Sequence, residues 1–206
     1  VLSIKNHLFL IDCGEGTQVQ LRRYKVKFSR IKYIFISHLH GDHYFGLIGL
    51  ISTFMLLGRE AELNIYGPKG IKELIMLQLK LGKAWFNYPL NFHELVCKES
   101  EVIFEDDKVT VITVPLKHRV YTNGFVFKEK LGERKINIEA IKDNNIDMCY
   151  LQKIKQGSDI ENNDGKLILN KQITFDPEKP KSYAFCSDTQ YYPACISTIK
   201  NVTVLY

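Results

Sequence analysis

Apolar residues in this chain fall in short runs bounded by glycine, proline or charge, and their period shifts repeatedly between two and 3.6. Leu2 to Cys13 alternates and then turns continuously apolar, the pattern of a strand or of a hairpin's second arm. Asp12-Cys13-Gly14-Glu15-Gly16-Thr17 predicts a tight turn, and Gln18 to Arg23 a helix. Tyr33-Ile34-Phe35-Ile36, aromatic and β-branched, predicts a buried strand. Tyr44 to Ile51 is apolar and long enough to open a helix reaching about Leu57. A strand over Glu62 to Tyr66 ends at Gly67-Pro68, and Ile71 to Leu81 has helical period. Phe92 to Val96, Val102 to Phe104 and Val109 to Val114 read as strands of a meander, and Gly124 to Phe127 begins another.

Composition changes at residue 128. From Lys128 to Lys181 the chain is rich in Lys, Asn, Asp and Glu with weak periodicity, so this stretch reads as an inserted arm, helical around Ile138 to Lys142. Tyr183 to Cys186 restores a buried strand that ends in Ser187-Asp188, and Val202 to Tyr206 starts one more. No solenoid-type repeat is present. A single α/β (α+β) domain over 1–206 carrying an arm over 128–181 is the expected organisation.

With 206 residues, 45% hydrophobic and 25% charged, the chain has the make-up of an ordinary globular domain. No apolar run approaches the roughly 20 residues of a membrane span. Charged and polar residues interrupt Val1 to Ile11, so it does not have the form of a signal peptide. Cys13, Cys97, Cys149, Cys186 and Cys195 are odd in number and form no C-x-x-C pair. They read as reduced thiols of a cytoplasmic protein. The net charge of +5 suits a polyanionic partner without demanding one. Arg22, Arg23, Lys25, Lys27, Arg30 and Lys32 read first as a solvated face.

The chemistry concentrates in Ser37-His38-Leu39-His40-Gly41-Asp42-His43, on the loop leaving the strand at Tyr33 to Ile36. In extended backbone His38 and His40 point the same way and can grip one metal. Gly41 is expected to allow a sharp turn, with Asp42 at a helix N-cap and His43 in the first turn, both facing a second metal. Two such ions about 3.5–4 Å apart clamp the oxygens of a phosphoryl displacement. His118, just beyond Pro115 at a strand end, is the natural third ligand beside His38 and His40. Asp188 competes between helix cap and metal-bridging carboxylate. Ser187 and Thr189 are expected to support the ligands by hydrogen bonds, whereas His7 and His93 read as structural.

His38-Leu39-His40-Gly41-Asp42-His43 resembles the H-x-H-x-D-H signature of the metallo-β-lactamase superfamily. Asp12-Cys13-Gly14-Glu15-Gly16-Thr17-Gln18, Gly46 to Leu50, Tyr66-Gly67-Pro68-Lys69-Gly70, His118 with Gly124-Phe125, and Ser187-Asp188-Thr189 narrow the resemblance to the ribonuclease Z family. The resemblance implies an αββα sandwich and two zinc ions, with manganese or iron as alternatives. His38, His40 and His118 would hold one ion, Asp42 and His43 the other, and Asp188 would bridge. Asp42 would also be the catalytic proton acceptor. Hydroxide attack on a phosphodiester of precursor tRNA would release the 3′ trailer and leave a tRNA 3′-hydroxyl. A homodimer is a further implication.

Two departures accompany the match. The family's glycine-rich opening strand is absent, and a further His in an H-E-[AS]-T context would come next after Tyr206. The chain, which also begins without Met, is therefore expected to be truncated at both ends. The arm, which in the family grips tRNA, here lacks the usual Gly-Pro but keeps Lys142, Lys153 and Lys155 as substrate-binding candidates. Competing expectations are a phosphodiesterase of the same fold acting on small esters and a catalytically degenerate binding protein.

Overall fold

Alternate residues of the early strands go to two different cores, and this division sets the architecture. In the computed structural model, which describes residues 1–85 and 87–206, one sheet has the order β1 (Leu2–Ile4), β2 (His7–Ile11), β3 (Ile31–Phe35), β4 (Leu63–Pro68), β5 (Leu90–Leu95). β1 and β2 form an antiparallel hairpin, and β2 through β5 run parallel. Leu8, Leu10, Ile34, Ile36 and Ile65 pack on one face. Helices cover them, namely α1 (Thr17–Arg23) and, after the short α2 (Gly41–Tyr44), α3 (Leu47–Leu56) and α4 (Ile71–Leu81). α1 contributes Leu21, whereas α3 and α4 each contribute a stripe, such as Ile71, Ile75 and Leu79 of α4, spaced to stay on one side.

Phe9, Phe35 and Tyr66 point from the same strands to the opposite face. There they meet Val109 and Val111 of β7 (Val109–Pro115) and Phe125 and Phe127 of β8 (Asn123–Glu129), which form a second sheet with β6 (Val102–Glu105). Phe9, Phe35, Phe125 and Phe127 are fully buried, so truncating any one to Ala costs about 3–5 kcal/mol. His7 Nε2 lies 2.6 Å from Asp106 Oδ2, joining the start of β2 to the β6–β7 turn. The carboxylate of Glu94 accepts from the amides of Gly70 (2.7 Å) and Lys72 (3.3 Å), because Gly70 offers α4 no capping side chain.

Residues 129–181 form a second compact unit. It contains β9 (Lys135–Ile136), α5 (Ile138–Asp143), α6 (Leu151–Lys155), β10 (Ile160–Glu161), β11 (Leu167–Ile168), α7 (Asn170–Ile173) and β12 (Thr174–Phe175). Ile141, Ile146, Ile154, Ile160, Ile168 and Ile173 are the buried centre of a core of its own. Weak periodicity in the sequence understates this order, because the isoleucines are contributed one or two at a time by short elements.

The chain then completes the second sheet with β13 (Ser182–Phe185) and β14 (Val204–Leu205), giving the order β14-β13-β8-β7-β6. Val114, Val126 and Ala184 face outward and are covered by Cys195, Ile199 and Val202, around α8 (Ile196–Ile199). The layers of the first unit are thus α, β, β, α. The expected meander is corrected in one respect. β5 belongs to the first sheet, parallel to β4, and the chain changes sheets between β5 and β6. Among the described residues no helix is long and apolar enough to cross a membrane.

Candidate metal centre

The loop after β3 is pinned from three sides before it presents any ligand. Ile36 N–H donates to Tyr66 O of β4 (2.8 Å), Asn123 N–H of β8 donates to Ser37 O (3.0 Å), and Asp12 N–H donates to Phe35 O (2.8 Å). His38, fully buried, therefore has little freedom. His40 is extended (φ −79°, ψ 145°) and is itself the N-cap of α2, which places Asp42 inside the helix rather than at its cap. Gly41 is the first residue of α2, where the chain turns from the extended His40 into the helix, and it lies outside the left-handed region. A Cβ there would lie 2.2 Å from the Phe45 ring, an exposed side chain that would have to swing aside.

His38, His40, His118 and Asp188 each direct one ligand atom into a cluster in which all four atoms lie within 4.8 Å of one another. His38 Nε2 is 3.0 Å from His40 Nδ1, and His118 Nε2 is 3.3 Å from the same atom. Two nitrogens on one zinc, each about 2.0–2.1 Å from the ion at a tetrahedral angle, stand about 3.3 Å apart. The donor set therefore fits a transition metal in kind and in spacing. Burial pushes His38 down to about 4, helped by the neighbouring imidazoles and opposed by Asp188, so the ring is neutral and offers a lone pair at ordinary pH.

Asp188, half exposed, lies between two groups: Oδ2 is 3.9 Å from His38 Nε2 and 3.8 Å from His43 Nε2. His43 Nε2 is also 3.3 Å from the exposed carboxylate of Asp42. Asp42 and Asp188 thus both face His43 Nε2. The loop bearing His118 is tied to the one bearing Asp188, since Lys117 N–H donates to Thr189 Oγ1 (3.2 Å) and Gln190 N–H to Lys117 O (2.8 Å). His7 and His93 lie elsewhere, His7 on Asp106 and His93 stacked on Tyr66 at 4.3 Å.

Three residues of the site escaped the sequence reading as participants. Asp12 Oδ2 accepts from His43 Nδ1 at 2.7 Å, and Asp12 also accepts from Ser37 N–H (2.7 Å) and Ser37 Oγ (2.9 Å). Burial raises the Asp12 carboxyl, and the bonds from His43 and Ser37 pull it back. Ser37 Oγ lies 3.0 Å from His38 Nδ1 and 3.2 Å from Ser187 Oγ, so it links the ligand loops of the two sheets. Arg119 Nε stands 3.1 Å from His40 Nε2. The available signal for Asp12 is its place at the end of β2, the strand parallel to and beside β3.

Two facing sheets with helices on both outer faces, and a histidine-rich loop leaving a central strand, define a metallo-β-lactamase-fold protein. The short form of human tRNase Z is similar with a TM-score of 0.58 and 30% identity, covering 76% of this chain and 74% of that one. The metallo-β-lactamase-fold protein YhfI of Bacillus subtilis shares the fold, at TM-score 0.55 and 16% identity over 97% of this chain and 58% of that one. Ribonuclease Z of Bacteroides fragilis is 44% identical over all 206 residues, and this chain spans 68% of that protein. Ribonuclease Z of Bacteroides thetaiotaomicron is likewise 44% identical, with 65% of its length spanned. A family model described as Anti-Pycsar protein Apyc1 matches residues 1–133. The chain belongs to the ribonuclease Z family, and its residues 1–133 also belong to the family of that model.

Proposed function

We propose that this chain carries the catalytic centre of a metal-dependent endoribonuclease that removes the 3′ trailer from precursor tRNA. The carrying observation is the convergence of His38, His40, His118 and Asp188 in a chain that aligns over all 206 residues with ribonuclease Z proteins. The Apyc1 model stops at residue 133, before most of the arm and before Asp188, whereas the ribonuclease Z relatives run through both.

Zinc would suit the imidazole and carboxylate donors: His38, His40 and His118 would hold one ion, Asp42 and His43 would hold a second, and Asp188 would add a carboxylate. Bound metal lowers the pKa of water and neutralises charge on phosphate oxygens. Asp12 and Ser37 hold His43 and His38 with Nε2 turned inward. Asp42, exposed beside His43, accepts the proton that the attacking water gives up. Water oxygen joins phosphorus, the bond to the tRNA 3′-oxygen breaks, and that oxygen takes a proton from solvent to become a hydroxyl.

Lys142, at the end of α5, and Lys153 and Lys155, at the end of α6, are proposed to contact the tRNA backbone from the arm. No carboxylate pairs with any of the three among the described residues, which leaves their charge for phosphates. The five free cysteines support a reducing, cytoplasmic setting, and a homodimer is carried by the resemblance alone, to be checked by sedimentation.

The test incubates the full-length protein with precursor tRNA and with bis(p-nitrophenyl) phosphate and maps the RNA ends. A mature tRNA 3′-hydroxyl is expected. Hydrolysis of the small ester with the precursor left intact would replace this reading by a small-ester phosphodiesterase. Replacing Lys142, Lys153 and Lys155 by Ala together should weaken precursor binding and flatten its salt dependence.

A further inference from the structure

The histidines of the centre dispose of their outward nitrogens in different ways. His38 turns Nδ1 to Ser37 Oγ (3.0 Å), and His43 turns Nδ1 to Asp12 Oδ2 (2.7 Å). Each has an oxygen to receive its N–H, which leaves a lone pair on Nε2 for the interior of the cluster. That is the usual arrangement for imidazoles that ligate metal. His40 is reversed. Its Nδ1 faces His38 and His118, and its outward Nε2 meets not an oxygen but Arg119 Nε at 3.1 Å.

A neutral imidazole has one N–H and one lone pair, and a guanidinium has donors only. If His40 gives the Nδ1 lone pair to an ion, its proton sits on Nε2, and two donors then confront each other across the Arg119 contact. His40 cannot serve the cluster and Arg119 at the same time. The conflict disappears when an anionic oxygen accepts from both, or when the guanidinium turns to such an oxygen nearby. Arg119 is exposed, and among the described residues no carboxylate pairs with it. Its fork of N–H groups matches two oxygens of a phosphate.

We infer that Arg119 is a phosphate-binding residue of this centre, its guanidinium taking a non-bridging oxygen of the phosphodiester beside His40 Nε2–H. The inference deepens the nuclease reading and rests on it for the identity of the ester. Its physical content, an oxyanion site at the rim of the loaded cluster, can be measured separately.

The full-length zinc-loaded protein and its Arg119→Ala and Arg119→Lys variants are compared by calorimetric titration with inorganic phosphate, by zinc content and by cleavage of precursor tRNA. Zinc content should be unchanged in both variants. Phosphate affinity should fall at least tenfold in Arg119→Ala and by less in Arg119→Lys, with KM for the precursor rising in the same order. Equal phosphate affinity in wild type and Arg119→Ala overturns the inference, as does wild-type protein that binds no phosphate. Loss of zinc in Arg119→Ala, with phosphate affinity per loaded site unchanged, also overturns it and makes Arg119 a brace for His40. Wild-type protein that leaves precursor tRNA uncut while Arg119 still governs phosphate affinity sinks the nuclease reading and leaves this one standing.

Discussion

Asp12 Oδ2 holds His43 Nδ1 at 2.7 Å, joining the exit of β2 to the helix that follows β3. The bond fixes the tautomer of His43 and aims Nε2 at the two exposed carboxylates. Asp12→Ala should therefore reduce metal affinity on the His43 side by about 10–100-fold. Competition against a chromophoric chelator measures this, and unchanged affinity would reduce Asp12 to a structural part.

Asp42 presents the opposite case, with its side chain 77% exposed. Asp42→Ala should leave stability within about 0.5 kcal/mol of wild type. Cleavage of precursor tRNA should nevertheless be lost, because the change removes both a proposed ligand and the proton acceptor. Turnover at the wild-type rate would exclude Asp42 from the reaction.

Gly14 lies so close to the metal loop that a Cβ there would sit 1.9 Å from Asp42 O, and a Cβ on Gly46 would sit 2.0 Å from Gly14 O. Both clashes are with backbone, which cannot swing aside. Gly14→Ala should destabilise the protein by about 1–3 kcal/mol in urea unfolding. It should lower metal affinity as well, since the segment displaced carries Asp42 and His43. A variant with wild-type stability and metal binding would show the two loops to be independent.

Much of the fold was legible because the periods are clean. The helix over Ile71–Leu81 coincides with its expected bounds, and the strand before His38 differs by little from its expected extent. Sheet membership was not legible: a strand of a meander and the last strand of a parallel sheet read alike locally, so β5 was misplaced. Nor did the sequence show that six scattered isoleucines would find one another in the arm. In the site, His38, His40 and Asp42-His43 declare themselves by spacing. Asp12 and Arg119 act through distances between separate loops, which no local pattern records, and Ser37 joins its neighbour His38 to Asp12 across one of them.

Asp106 gives a prediction in pH. Burial raises its carboxyl, but the amides of Lys108 and Val109, with His7, outweigh that and hold it below the ordinary 3.8. The unfolded chain then binds more protons than the folded one across that interval, so stability rises with pH there. The contribution is complete above 3.8 and is lost as pH falls through the lower folded value. The stability gap between wild type and Asp106→Asn, from urea midpoints taken between about pH 6 and pH 3, should shrink toward the acid end. A gap that widens in acid would mean that the amides of Lys108 and Val109, with His7, do not lower the carboxyl.

Clustered donors that span His38 to Asp188 have a consequence for biosynthesis. A nascent chain has delivered its clustered histidines by His118, but Asp188 leaves the ribosome only after the entire arm. The last donor of the cluster and the last two strands of the second sheet therefore arrive together, late in synthesis.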